Sequence, residues 1–208
     1  MQFVLFSCQK DKAMEGQGIQ LPLECNASEE FSIHYYLHLF AIDRDNRIAR
    51  HETFTSSHIH DNTLHAILPL GRYRLALVAN APEESIVIPE TGEALESLFL
   101  CLPHEENTNQ EANDISTALQ SVSITESKNT LPPIRLFRRT GVVLFSLHAI
   151  PEAISNLKLE LSFVPSSVSF SGSTTNTFGT ITKPVDHQGK AMIRTFPTKK
   201  GEATLSIT

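Results

Sequence analysis

Apolar and polar residues alternate along most of the chain with a period of two, the spacing of strands rather than helices. Over residues 33–43, Ile33, Tyr35, Leu37, Leu39 and Ala41 share one face, and His34, Tyr36, His38, Phe40 and Ile42 share the other. Both faces are largely apolar or aromatic, which predicts a central strand covered on both sides. Asp43-Arg44-Asp45-Asn46 then has turn chemistry, and residues 47–50 can start a return strand. Residues 64–68 form a short strand, and Pro69-Leu70-Gly71 breaks the chain. Residues 72–79 alternate again, with Tyr73, Leu75, Leu77 and Ala79 opposite Arg72, Arg74, Ala76 and Val78. Gly71 is placed where a positive φ angle is expected.

The middle of the chain is less regular. Thr91 can cap a helix of about two turns, bounded by Gly92 and Pro103. The run Leu98-Phe99-Leu100-Cys101-Leu102 reads equally well as a buried strand. Beyond it, residues 118–125 alternate imperfectly, and residues 140–147 predict another central strand. Residues 151–156 can make one helical turn. Leu157, Leu159, Leu161 and Phe163 then line one face of a half-buried strand. A Ser/Thr/Gly/Asn-rich loop follows over 171–182, and the last strands are expected at 190–196 and 202–208. Many short strands with turn signals and few helices predict an all-β fold of sandwiches.

Charge divides the chain. Residues 1–114 carry 7 Lys/Arg against 18 Asp/Glu, a net of −11, while the remainder nets +5. Residues 83–114 hold nine acidic side chains and no basic one. A boundary in this region gives a sandwich over 19–104, an acidic, polar linker over 105–116 and a second sandwich over 117–208. The overall net charge of −6 argues against a nucleic-acid partner, which needs an extended basic surface. No apolar run reaches the roughly 18–20 residues of a membrane-spanning helix.

Candidate chemistry is sparse. His58, His60 and His65 form the sharpest cluster, and His58 and His60 would share a strand face as zinc ligands could. The favoured reading is a polar hairpin exposing its histidines, because Ser56, Ser57, Asp61, Asn62 and Thr63 surround them. There is no Gly-rich phosphate loop and no Gly-x-Ser-x-Gly elbow. No cofactor and no enzymatic activity are therefore expected. Cys8, Cys25 and Cys101 form no CxxC pair. Leu5-Phe6-Ser7-Cys8 resembles the end of a bacterial lipoprotein signal, in which the Cys is lipidated. The apolar run before it is short and no basic residue precedes it, so residues 1–18 read as a truncated signal and tether. The alternative is an ordinary apolar strand with a buried Cys.

Three stretches in serial order resemble the fimbrial anchor and fimbrillin-associated lipoproteins of Bacteroides-type bacteria, the FimB/Mfa family. They are Tyr35-Tyr36-Leu37-His38-Leu39-Phe40-Ala41-Ile42-Asp43, Leu68-Pro69-Leu70-Gly71-Arg72-Tyr73 with Ala79-Asn80, and Leu136-Phe137-Arg138-Arg139-Thr140-Gly141-Val142-Val143. The third continues through Ile150-Pro151 to Ser171-Gly172 and Thr195-Phe196-Pro197. The resemblance implies two tandem transthyretin-like (Greek-key) β-sandwich domains. It further implies an outer-membrane lipoprotein held by lipid on Cys8, acting as a fimbrial anchor or accessory subunit in adhesion. Its partners would be fimbrial subunits, joined by β-strand addition. Export would also allow a Cys25–Cys101 disulfide. The family usually continues past the final strand here through another hairpin, so a truncated second sandwich with an open edge is expected. A surface glycan- or peptide-binding sandwich outside any fimbria is the alternative.

Overall fold

The computed structural model describes residues 16–25, 36–105, 108–127, 130–148, 156–198 and 203–208. In the first half the strands are β1 (Gln17–Cys25), β2 (Tyr36–Ile42), β3 (Ile48–Thr55), β4 (Ile59–His60), β5 (Thr63–Leu68), β6 (Gly71–Ala79), β7 (Ile86–Val87), β8 (Phe99–Cys101) and β9 (His104–Glu105). They continue as β10 (Thr108–Asn109), β11 (Ser116–Ile124), β12 (Ile134–Arg138), β13 (Gly141–Ser146), β14 (Lys158–Pro165), β15 (Ser167–Ser169), β16 (Phe178–Pro184), β17 (Lys190–Thr195) and β18 (Thr204–Ile207). The protein is all-β, as the period-two pattern requires.

An eight-stranded sheet runs β3-β2-β6-β11-β12-β1-β5-β4. β6 lies between β2 and β11, and all nine of its residues are in register with β11. β12 joins the two halves. Ile134 to Leu136 pair in parallel with Leu23 to Cys25 of β1, and Phe137 and Arg138 pair with the start of β11. Both halves contribute to one core, with Leu21, Leu23, Leu64 and Leu68 from one side and Leu37, Leu39, Leu75 and Leu77 from the other. The sheet therefore closes on itself as a two-layer sandwich.

β2 and β6 are buried on their second face as well. Phe40, Ile42, Ala76 and Val78 join Leu98, Leu100 and Leu102, and with them Leu159, Leu161, Ile181, Ile193 and Phe196 of the second half. This is why both faces of residues 36–42 are apolar. Each buried Leu or Phe contributes roughly 1.5–3 kcal/mol through removal from water. The second half folds as a sheet β18-β14-β16-β10-β9 and a two-stranded sheet β13-β17.

Several expectations are corrected. β11 and β12, expected from residue 117 onward in the second sandwich, complete the first. The expected linker at 105–116 is structural: Asn109 pairs with Ile181 of β16, and Ala112 and Ile115 are buried in the shared core. Its sparse apolar residues are the anchors, and two of its acids pair, Asp114 with Arg138 (2.8 Å) and Glu111 with Lys183. The helix starting near Thr91 does not form; a short 3-10 turn spans Leu95–Ser97 and the run after it is strand β8. Phe163 does not continue the inward face of β14. The register shifts between Ser162 and Val164, Phe163 takes a φ of 60° and is 59% exposed, and Val164 fills the core position instead. Such a bulge places one extra residue outside the alternation. Gly71 has the expected positive φ, at 152°. The turn expected at 151–156 lies outside the described residues except for Asn156.

Candidate subunit-docking edges

A strand at the edge of a sheet presents unpaired N–H and C=O groups to any chain that can pair with them. Proteins that stay monomeric blunt such edges with charge, proline or a bulge. β3, the outer strand of the first sandwich, follows this rule: it carries Arg50, His51 and Glu52, with Arg50 and Glu52 ion-paired.

The second half does not follow it. Among the described residues β13 pairs only with β17, from Gly141↔Thr195 to Ser146↔Lys190. Its sequence, Gly-Val-Val-Leu-Phe-Ser, holds no charge and no proline. Val143 and Phe145 pack inward on the shared core. Val142 and Leu144 point out, and Leu144 is 77% exposed. Residues 140–147 were expected to make a central strand. Their continuous apolar pattern belongs instead to an edge strand whose outer face has no cover among the described residues.

β18 is the matching edge of the larger sheet, bonded to β14 from Leu159↔Ile207 to Ser162↔Thr204. Leu205 and Ile207 face the same side as the core residues Leu161 and Leu159, yet both are exposed. A cleft of about 510 Å³ lies beside β13, lined by Leu144, Phe145, Ala191 and Met192 with Lys183, Asp186 and Lys190. The arrangement offers free backbone groups, apolar side chains and a concave floor together.

The other sequence candidates fall elsewhere. His58 closes a turn through Nδ1, which lies 3.3 Å from the Thr55 backbone N and 3.1 Å from Thr55 Oγ1. The His60 and His65 rings are 6.3 Å apart. His58 and His65 line one side cleft with Arg50 and Glu52. Among the described residues no three His, Cys, Asp or Glu side chains are grouped to hold a metal ion. Cys101 is a free thiol on β8, where burial raises its pKa. β8 pairs with β7 and β15, whereas Cys25 ends β1 in the first sandwich. Cys8 lies outside the described residues.

One constellation was missed by sequence reasoning. His38 is buried on the shared-core face of β2. Its Nε2 donates to the Ala81 carbonyl at 2.8 Å, and its Nδ1 lies 3.3 Å from Nε2 of His51. The His51 ring stacks on Phe40 at 4.4 Å. Burial lowers both pKa values, that of His51 to about 4, with the neighbouring His38 adding to the effect on His51. Cross-strand pairing of Phe40 with His51 creates the contact, and register is not visible in local sequence.

The fold is shared with solved structures from Bacteroides, Porphyromonas and Parabacteroides. A proposed polysaccharide-binding protein from Bacteroides thetaiotaomicron superposes with a TM-score of 0.72 at 14% identity, covering 92% of this chain and 75% of the other. The fimbrial anchor protein Mfa2 from Porphyromonas gingivalis gives 0.60 at 17% identity, covering 93% and 78%. A fimbrial assembly protein from Parabacteroides distasonis gives 0.58 at 10% identity, covering 93% and 82%. At these identities the likeness is one of fold. No curated protein matches the sequence. The chain belongs to the family of fimbrillin-A associated anchor proteins Mfa1 and Mfa2, whose model matches residues 25–208. That membership associates it with the cell surface and the fimbrium, in a family non-enzymatic in kind.

Proposed function

We propose that this protein is a cell-surface lipoprotein that anchors a fimbrium or serves as its accessory subunit, and that it joins a neighbouring fimbrial subunit by β-strand addition at β13. The observation that carries the reading is the β13 edge, apolar and unguarded beside the cleft lined by Leu144 and Met192. An added strand would gain main-chain hydrogen bonds there, and its alternate side chains would fill the cleft. Attachment to the outer membrane would come from lipid on Cys8, supported by the lipobox-like Leu5-Phe6-Ser7-Cys8.

Two experiments test it. Affinity isolation of the full-length protein from native membranes is expected to bring down polymerised fimbrial subunits. Isolation of a monomer that binds glycan and no subunit would favour the non-fimbrial alternative. Cys8→Ser in the full precursor is expected to move the protein from the membrane to the soluble fraction, and unchanged fractionation would contradict the lipid anchor.

A further inference from the structure

The uncovered end of the middle sheet carries a cationic cleft. Along the second face of β6 the residues run Arg72, Arg74, Ala76, Val78, so the same face that is core at one end becomes guanidinium at the other. The adjoining strand matches it: Ser121 pairs with Arg74 and Ser123 with Arg72, which places their Cβ atoms about 5 Å apart on one face. The turn after β2 adds Arg44 and Asp43. Together with Ile42, Tyr73 and Val122 these residues line a cleft of about 490 Å³, within the range of roughly 300–1,000 Å³ usual for small-molecule sites.

The charges are uncompensated. The cleft holds three arginines and one carboxylate. Asp43 is engaged in its own turn, where Oδ1 accepts from the backbone N–H groups of Asp45 and Arg47, both at 2.9 Å. Arg74 is fixed in place, since Nη1 donates to Asn46 Oδ1 at 2.8 Å and Asn46 in turn donates to Glu96. The Arg44 and Arg72 guanidiniums make no hydrogen bond or ion pair to another described residue. This concentration of positive charge stands in a half-chain that nets −11. Arginines held side by side repel, and an anion between them relieves that repulsion.

The backbone narrows the ligand. β6 is bonded to β11 along its whole length and to β2 from Arg74 onward, so only Gly71–Tyr73 is open on the β2 side and an extended peptide gains little main-chain pairing here. Recognition falls to side chains: planar guanidinium forks that match a carboxylate and serine hydroxyls, since Ile42 and Val122 are buried and Val122 and Tyr73 belong to the core on the other face. We propose that this cleft binds a carboxylate-bearing sugar, a uronate unit of an acidic polysaccharide. Its carboxylate meets Arg44 and Arg72, and its hydroxyls meet Ser121 and Ser123. The site is separate from β13 and does not depend on the fimbrial reading.

The test is calorimetric titration of the purified protein, in physiological salt, with trigalacturonate, with its methyl ester, and with a hexaglutamate peptide. Trigalacturonate is expected to bind, the uncharged ester at least tenfold more weakly, and the peptide more weakly than the acid sugar. Arg44→Gln and Arg72→Gln are each expected to weaken trigalacturonate binding at least tenfold. Both side chains are exposed, so unchanged melting temperatures are expected to show that the fold is intact. Equal binding of acid and ester, no binding of trigalacturonate, or binding indifferent to both substitutions overturns the proposal. Tighter binding of the peptide than of the sugar overturns the ligand class.

Discussion

The His38–His51 pair makes stability depend on pH in a defined direction. Burial holds both imidazoles neutral, and the pKa of His51 is lowered from 6.5 to about 4. Between these values the unfolded chain binds a proton that the folded chain refuses. Stability is therefore complete above about pH 6.5 and falls as the pH drops toward 4. At pH 5 a shift of this size corresponds to about 2 kcal/mol. His51 is only half-buried and solvent screens part of that, leaving about 1 kcal/mol. For a chain of this length the loss lowers the melting temperature by about 2–4 °C. Carboxylates add their own pH dependence, so the measurement is a difference. Melting curves of the wild type and of His51→Gln are recorded at pH 7.5 and pH 5.0. Gln cannot titrate, and its cost in packing is the same at both values. The wild type is expected to lose about 2–4 °C more than the variant over this interval. Parallel curves would refute the reasoning, because they would show that His51 titrates alike in the folded and unfolded chains.

Three further outcomes follow from the packing. Phe40 is fully buried on the shared-core face of β2, so Phe40→Ala should cost about 3–5 kcal/mol in urea unfolding, and a loss below about 1 kcal/mol would argue against a shared core. Gly71 has a φ of 152°, and a Cβ there would meet the Tyr73 hydroxyl at 3.0 Å; Gly71→Ala should cost about 1–3 kcal/mol in the same assay. Arg138 forks onto Asp114 at 2.8 and 3.0 Å with both side chains about a third exposed, so Asp114→Asn should cost under about 1 kcal/mol and the loss should shrink in high salt.

The parts of the fold that depend on local pattern were legible. Alternation placed most strands, the two apolar faces read over residues 33–43 marked β2 as covered on both sides, and Gly71 announced its own backbone. What depends on pairing at a distance was not legible. β11 alternates imperfectly, and only its register against β6 assigns it to the first sandwich. The acidic tract suggested a linker because acids outnumber apolar residues there, yet Ala112 and Ile115 are buried in the shared core. The bulge at Phe163 breaks an alternation that the sequence keeps. The apolar run at β13 is the most instructive case. Sequence gives it the signature of a central strand, and the structure leaves it at an edge. A strand that reads as central while one of its sides has no pairing partner among the described residues is what a site for an incoming strand would look like. The cationic cleft was hidden for a related reason: Arg44, Arg72 and Arg74 are split between a turn and a strand, in a half-chain whose total charge is strongly negative.

The central claim is that β13 receives a strand from a neighbouring subunit. It is tested most directly by Leu144→Lys, since Leu144 is 77% exposed and a lysine on an open edge blocks pairing without disturbing the core. Wild-type protein isolated from native membranes is expected to carry fimbrial subunits with it, and the variant, equally abundant and equally stable, is expected to carry few or none. Undiminished co-isolation with the variant would contradict the assignment of β13 as the docking edge.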